Sequence, residues 1–156
     1  MSDKKVRVAC ASAFYGDSQL AARQLVDKGE IDYLVFDYLA EATMAILARA
    51  KATNADFGYA IDFVTVAMKD VLSDCSEKGI KVIANAGGVN VPACISALEQ
   101  LCEMLELDLT VAGVYGDDLS SHKLGDMPEM QTGKPLPAKL ASINAYLGAM
   151  PISDAL

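Results

Sequence analysis

Short apolar runs alternate along this chain with longer stretches in which apolar residues recur at helical spacing. Val6 to Ala11 reads as a strand, and Asp17 or Ser18 is placed to cap the helix that follows, which carries Leu20, Leu25 and Val26 and stops at Gly29. Tyr33-Leu34-Val35-Phe36 is the second strand, leading through Asp37-Tyr38-Leu39-Ala40-Glu41 into an Ala- and Met-rich helix that reaches about Lys51. After the turn from Asn54 to Gly58, Phe63, Ala67, Val71 and Cys75 stand at intervals of four on a helix that Gly79 ends. Ile80 to Ala84 is the third strand. The helix after Asn90 carries Ile95, Leu98, Leu101, Cys102 and Leu105 on one stripe, and Leu109 to Val114 reads as the fourth strand.

Strands that are almost continuously apolar and alternate with helices indicate a parallel sheet covered on both faces. The expected fold is therefore α/β, three-layered, with a mainly parallel sheet of about four strands and helices on both sides. Residues 1–117 form the ligand-binding core of this reading. Residues 118–138 break the rhythm, because Gly125, Pro128, Gly133, Pro135 and Pro137 punctuate a polar stretch that reads as a lid, an interface arm or a disordered loop. Residues 139–156 read as a C-terminal helical segment. Ala138 to Ala149 is its first helix, and a second begins at Pro151 and is left unfinished, as expected of an incomplete domain.

In parallel sheets ligands sit beyond the carboxyl ends of the strands, where the strand order reverses. Four groups of residues fall there: Ser12, Gly16 and Asp17; Asp37 and Glu41; Asn85, Gly87, Gly88 and Asn90; Gly116, Asp117 and Asp118. Gly87 and Gly88 permit close approach of a phosphate or carboxylate, with Asn85 and Asn90 adding side-chain hydrogen bonds; equally, the turn needs a glycine at positive φ and Asn90 is a plain N-cap. The turn is neither GxGxxG nor a P-loop, so no nucleotide is implied. Asp37 and Glu41 share a helical face if the helix starts at Asp37, and with Asp117 and Asp118 they form a candidate set for Mg²⁺ or another hard divalent cation. Asp37 or Asp117 is alternatively a general base whose pKa the crowding of like charges raises, whereas helix N-termini favour acidic residues in any case. Tyr59 and Tyr146 are candidate substrate-contacting phenols, although structural tyrosines are commoner. His122, the only histidine, lies beside Ser120 and Ser121 in the irregular stretch and reads as an exposed loop residue rather than part of a triad.

Charge and composition narrow the partners. A formal net charge of -8 argues against nucleic acid, which is held by Lys and Arg clusters. No apolar run is long enough to cross a bilayer, although 53% of the residues are hydrophobic, and the start of the chain carries no signal-peptide pattern. The four cysteines, at 10, 75, 94 and 102, include no CxxC pair and have no histidine at ligand spacing. They read as reduced, mostly buried thiols of a cytoplasmic protein.

Five ordered segments carry a resemblance: Asp32 to Glu41, Gly58 to Phe63, Asn85 to Asn90, Gly116 to Asp118 and Asn144 to Ala149. Together they resemble the N-terminal region of the acyclic terpene utilisation protein A family, and the likeness extends from Val6 to Leu156. One departure is visible: the family pattern has Pro directly after the last Asn of the third segment, whereas here Val91 precedes Pro92. The resemblance implies an α/β domain that continues further in longer members, a bacterial catabolic setting, and breakdown of acyclic terpenes or branched acyl chains at the acyl-CoA or carboxylate level. An enzyme of this kind would be lyase- or hydrolase-like. It would bind a small acidic or acyl-CoA-type ligand over the turn from Asn85 to Asn90, with Asp17 and Tyr59 as further binding residues and Asp37 or Asp117 as catalytic groups. The alternative is a non-catalytic, truncated module that binds a ligand or partner subunit through its sheet edge and the 118–138 loop. An unfinished sheet favours a homo-oligomer or a partner subunit on either reading.

Overall fold

The computed structural model of the chain describes residues 5–156. Three strands, β1 (Val8–Ser12), β2 (Tyr33–Phe36) and β3 (Lys81–Ala84), form a parallel sheet in the order β1-β2-β3. Each is followed by a helical connection: α1 (Ala21–Lys28), then α2 (Glu41–Thr53), then a π-helical segment (Phe63–Met68) that runs into α3 (Lys69–Lys78), then α4 (Val91–Met104). A last helix, α5 (Met150–Ala155), lies near the end of the chain. Gly79 ends α3 at φ +68, the left-handed conformation that glycine adopts without steric cost, and its N–H returns to the Cys75 and Ser76 carbonyls.

Register explains which side of the sheet is buried. Ala9, Leu34 and Val82 stand in one row and Ser12, Phe36 and Ala84 in another, the pairing slipping by one residue between Cys10 and Ser12. These rows point toward a single core in which Leu34 is 0% exposed and packs with Val26, Phe63, Met68, Val71, Cys94 and Leu101. The opposite face carries Val8, Tyr33 and Lys81 in one row and Cys10, Val35 and Ile83 in the next. It is open: Val8 is 62% exposed and Cys10 is exposed. The chain exposes 10656 Å² in all, against about 7,600 Å² for a compact monomer of this mass.

Helices α1 and α3 are tied together by Lys78, whose Nζ donates to the Val26 carbonyl at 2.7 Å, and above all by Arg23. Arg23 Nη1 reaches Asp74 Oδ2 at 2.8 Å and Asp27 Oδ1 at 3.1 Å, while its Nε reaches Asp70 Oδ2 at 3.2 Å. The guanidinium holds the Asp74 carboxyl below its ordinary value. The buried thiols of Cys75 and Cys94 are pushed up to about 11 by desolvation, so they behave as small apolar groups rather than nucleophiles.

The α/β class and the parallel sheet are as expected, with three corrections. The sheet has three strands rather than about four, because Leu109 to Val114 forms no strand and joins no ladder. This segment packs through side chains: Val111 lies against the core, and a Cβ on Gly113 would come within 2.5 Å of Ile95 Cδ1 on α4. The expected second helical layer does not cover Val8 and Cys10. Ala138 to Ala149 is irregular rather than helical, so the irregular stretch that begins at 118 runs on to α5. Two isolated bridges, Asp118 with Asn144 and Pro128 with Pro135, pin it to itself. Among the described residues no helix is long and apolar enough to cross a membrane.

The unequal faces make a direct stability prediction. Leu34→Ala should cost about 2–5 kcal/mol in urea unfolding, as a fully buried leucine does, whereas Val8→Thr should stay within about 0.5 kcal/mol. Comparable losses for both variants would mean that the second face is covered in solution.

Candidate functional site

The turn after β3 is occupied by the chain itself. Asn85 clamps two strand ends: its Nδ2 donates to Asp37 Oδ1 at 2.7 Å, and its Oδ1 accepts from the Tyr38 N–H at 2.7 Å. Asn90 is 8% exposed, and its Nδ2 donates to the Ala55 and Phe57 carbonyls at 2.8 and 2.7 Å, so it holds the preceding loop instead of capping α4. Gly88 has φ +53, and a Cβ there would meet Leu47 Cδ1 at 2.5 Å and the Gly58 carbonyl oxygen at 2.6 Å. A Cβ on Gly87 would meet Val91 Cγ2 at 2.8 Å. The close approach that these glycines permit is an approach of protein to protein. Tyr59 packs, half-buried, against the core beside the same turn, and burial raises its phenol pKa.

The carboxylates expected to gather do not converge. Helix α2 begins at Glu41, so Asp37 precedes it and the two do not share a helical face. Asp117 Oδ2 accepts from Asn144 Nδ2 at 2.9 Å. Asp118 Oδ1 accepts the Ser120 N–H at 2.8 Å, and its carboxyl is held below its ordinary value by Ser120 first, with Lys51 and His122 adding their charge. Asp118 and Lys51 line a 280 Å³ hollow with Ser120, Ser142 and Asn144. Among the described residues no three of His, Cys, Asp and Glu are grouped to hold a metal ion, so Asp37, Glu41, Asp117 and Asp118 do not form the expected Mg²⁺ site. His122 is exposed and donates its backbone N–H to the Leu119 carbonyl, and Tyr146 is 95% exposed.

A different cleft opens at the carboxyl end of β1. It measures about 160 Å³ and is lined by Ser12, Asp17, Ser18, Tyr38, Asp62 and Val66, among others. The strands run in sequential order, with no reversal to create a crevice. The space lies instead between the loop after β1 and the residue that opens the π-helical segment. Asp17 shapes the loop by accepting the Ala13 N–H at 2.9 Å, and Ser18 Oγ accepts the N–H of Ala21 at 3.2 Å at the start of α1. Asp62 is fixed by its neighbour Phe63, which packs on Phe36 and Tyr38 with ring centroids 5.1 and 6.0 Å away.

Two residues that line this cleft each carry a buried side-chain oxygen without a hydrogen-bond partner, Ser12 Oγ and Asp62 Oδ1, and among the described residues these are the side-chain atoms so left. Ser12 is 5% exposed. Desolvation raises the Asp62 carboxyl pKa, and the Phe63 and Asp62 N–H groups pull it back only in part. Burial raises the Tyr38 phenol, with the Asp62 charge and Tyr15 adding to it; the nearby Ser12 hydroxyl opposes the rise without reaching hydrogen-bond geometry. Burial and Asp62 raise Tyr15 in the same way. The π-helical segment that begins directly after Asp62 is a geometry that recurs at functional sites.

Of the expected residues, the structure therefore brings Ser12, Gly16 and Asp17 to this cleft, joins Asp37 to Asn85, and places Asn90, Gly87 and Gly88 in internal packing. Sequence reasoning missed Asp62, whose signal was a carboxylate between two apolar residues, Ile61 and Phe63, at the start of a core helix. Asn85→Ala should lower the stability of the free protein by about 1–3 kcal/mol, because it leaves the Tyr38 N–H without its acceptor. An unchanged thermal midpoint would show that the clamp is not formed in solution.

No curated protein and no solved structure matches the chain. The family model described as "Acyclic terpene utilisation family protein AtuA" matches residues 6–156, from β1 through the glycine turn and the irregular stretch to the last helix. The chain belongs to the acyclic terpene utilisation AtuA family.

Proposed function

We propose that this chain is the substrate-binding part of a catabolic enzyme for acyclic terpenes or branched acyl chains. The end of the substrate remote from its acid or CoA group enters the cleft beyond β1, and that group stays outside it. The observation that supports this reading is the pair of unpartnered oxygens, Ser12 Oγ and Asp62 Oδ1, on one cleft. Leaving such atoms unpaired in an apolar setting destabilises a fold, and features that cost stability concentrate at functional sites. The cleft volume of about 160 Å³ is that of roughly five waters at ~30 Å³ each, which suits a branched chain end and not a whole cofactor. Asp62, whose carboxyl pKa desolvation raises, is the candidate general acid or base. Asp37 and Asp117 are secondary candidates, since Asn85 and Asn144 already engage their carboxylates.

A second reading, a non-catalytic module that binds a partner subunit or a second copy, is favoured by the open sheet face with Val8 and Cys10. Parallel sheets bury both faces, so this surface calls for a cover. The readings separate in solution. A module self-associates in sedimentation equilibrium or aggregates when alone. A site complete within this chain gives ligand-dependent stabilisation of the monomer.

Isovaleryl-CoA and longer branched acyl-CoAs at large excess over their dissociation constants should raise the thermal midpoint of the wild type by several degrees, and Asp62→Asn should abolish the rise. No rise with any acyl-CoA, in a protein shown to be folded, would sink the enzyme reading.

Asp62 also makes a prediction that needs no ligand. Its folded-state pKa lies above the ordinary 3.8, so the folded state binds the proton more tightly than the unfolded one. The contribution of Asp62 is fully present below that ordinary value and is lost as pH rises through the folded value. The midpoint of Asp62→Asn should therefore exceed that of the wild type by an amount that grows from acidic toward neutral pH. A difference that stays flat across this range would show that Asp62 is solvated.

A further inference from the structure

The walls of the cleft beyond β1 are charged with one sign only. Asp17, on the loop after β1, and Asp62, before the π-helical segment, both line it, and among the described residues no Lys, Arg or His does. Tyr15 and Tyr38 face the same carboxylate with phenols that stay protonated. The chain places its cations elsewhere: Arg23 serves three carboxylates between α1 and α3, and Lys51 stands by Asp118 and donates to the Val89 carbonyl at 2.6 Å. An anion entering this cleft would be desolvated beside two carboxylates with nothing to balance it.

The unpartnered atoms specify the complementary ligand. Asp62 Oδ1 is an acceptor without a donor, and Ser12 Oγ both donates and accepts. A single hydroxyl meets both needs, since it donates to Asp62 and accepts from Ser12. Val66, Ala67 and the Tyr38 ring supply apolar walls for the carbon that bears it. A carboxylate has no proton to give Asp62 at neutral pH. An ammonium group can donate to both oxygens but has no lone pair, so it leaves the Ser12 hydroxyl proton without an acceptor.

We infer that the deep end of this cleft is a hydroxyl site that takes a neutral alcohol and rejects carboxylates. This rests on the reading that ligands enter beyond β1, and it reverses the expectation of an acidic ligand at that point. The acid or CoA end of any acyl substrate then lies outside the cleft, and a hydroxyl-bearing or hydratable carbon lies inside.

Three probes with the same branched skeleton test it: isoamyl alcohol, isovalerate and isoamylamine, followed through the amide resonances of Gly16, Ser18, Val66 and Ala67 at neutral pH. Isoamyl alcohol should shift these amides saturably and isovalerate should not. Ser12→Ala should weaken the alcohol by roughly three- to tenfold, the effect of one hydrogen bond. Asp62→Asn removes the charge and supplies a donor, so it should admit isovalerate. Isovalerate bound in the wild-type cleft, or isoamylamine bound in preference to the alcohol, would overturn the hydroxyl assignment and leave the cleft standing as a site. No shift at these amides with any probe would overturn both the assignment and the reading on which it rests.

Discussion

Phe63 is the first residue of the π-helical segment, and its ring lies edge-on to Phe36 at 5.1 Å and to Tyr38 at 6.0 Å, while Phe36 and Tyr38 stack on each other at 5.8 Å. These rings join the end of the central strand to the start of the helix that returns to β3. Aromatic groups of this size dominate the burial energy of a small core, and their edge-to-face geometry fixes orientation as well as distance. Once Phe63 is seated, Asp62 has no freedom to leave the carboxyl end of the sheet, and Ser12, paired with Phe36 across the ladder, lies on the same side. The cleft is thus a consequence of core packing, held by elements that a ligand does not have to organise.

The sheet places a second demand on the chain. Only the rows of Ala9, Leu34 and Val82 and of Ser12, Phe36 and Ala84 face the core, so a parallel sheet is finished on one side alone. Helices α1 and α3 complete that side through apolar contacts and through Arg23, whose planar fork meets carboxylates on two helices at once. Nothing comparable is arranged for Val8, Cys10 and Val35. That asymmetry is the physical ground of the second proposed reading, in which the other face meets a partner.

The sequence made most of this legible where periodicity had a unique meaning. The stripe from Phe63 to Cys75 and the glycine at its end could only be a helix closing on itself, and the strands at Tyr33 and Ile80 were short apolar runs between turn residues. Leu109 to Val114 has the same pattern and joins no ladder, because an apolar run reports a preference for burial and not the presence of a partner edge. Ala138 to Ala149 has helix-forming residues, yet its backbone bonds go elsewhere: Ala145 donates to Asp117 and Leu119 donates to Ile143. The glycine turn was legible as a turn, but not in its purpose. Gly88 lets the Gly58 carbonyl and Leu47 approach, and no sequence pattern distinguishes such a contact from a phosphate.

Asp62 stands apart when the acidic residues are compared with one another. With 21 Asp and Glu against 13 Lys and Arg, the chain cannot give every carboxylate a cation. It answers with hydrogen bonds: Asp32 accepts the Arg7 N–H, Asp37 is held by Asn85, Asp117 by Asn144, Asp118 by Ser120, and Glu129 by the N–H groups of Gln131 and Thr132. Each of these is exposed or half-buried and would have been tolerable in water alone. Desolvation is what raises the Asp62 carboxyl pKa, and among the described residues Asp62 is the carboxylate left with an unpaired buried oxygen, while Ser12, which lines the same cleft, is left with another. A chain that satisfies its exposed carboxylates leaves this one with an open acceptor, and that contrast is the ground on which the cleft is proposed to receive a donor.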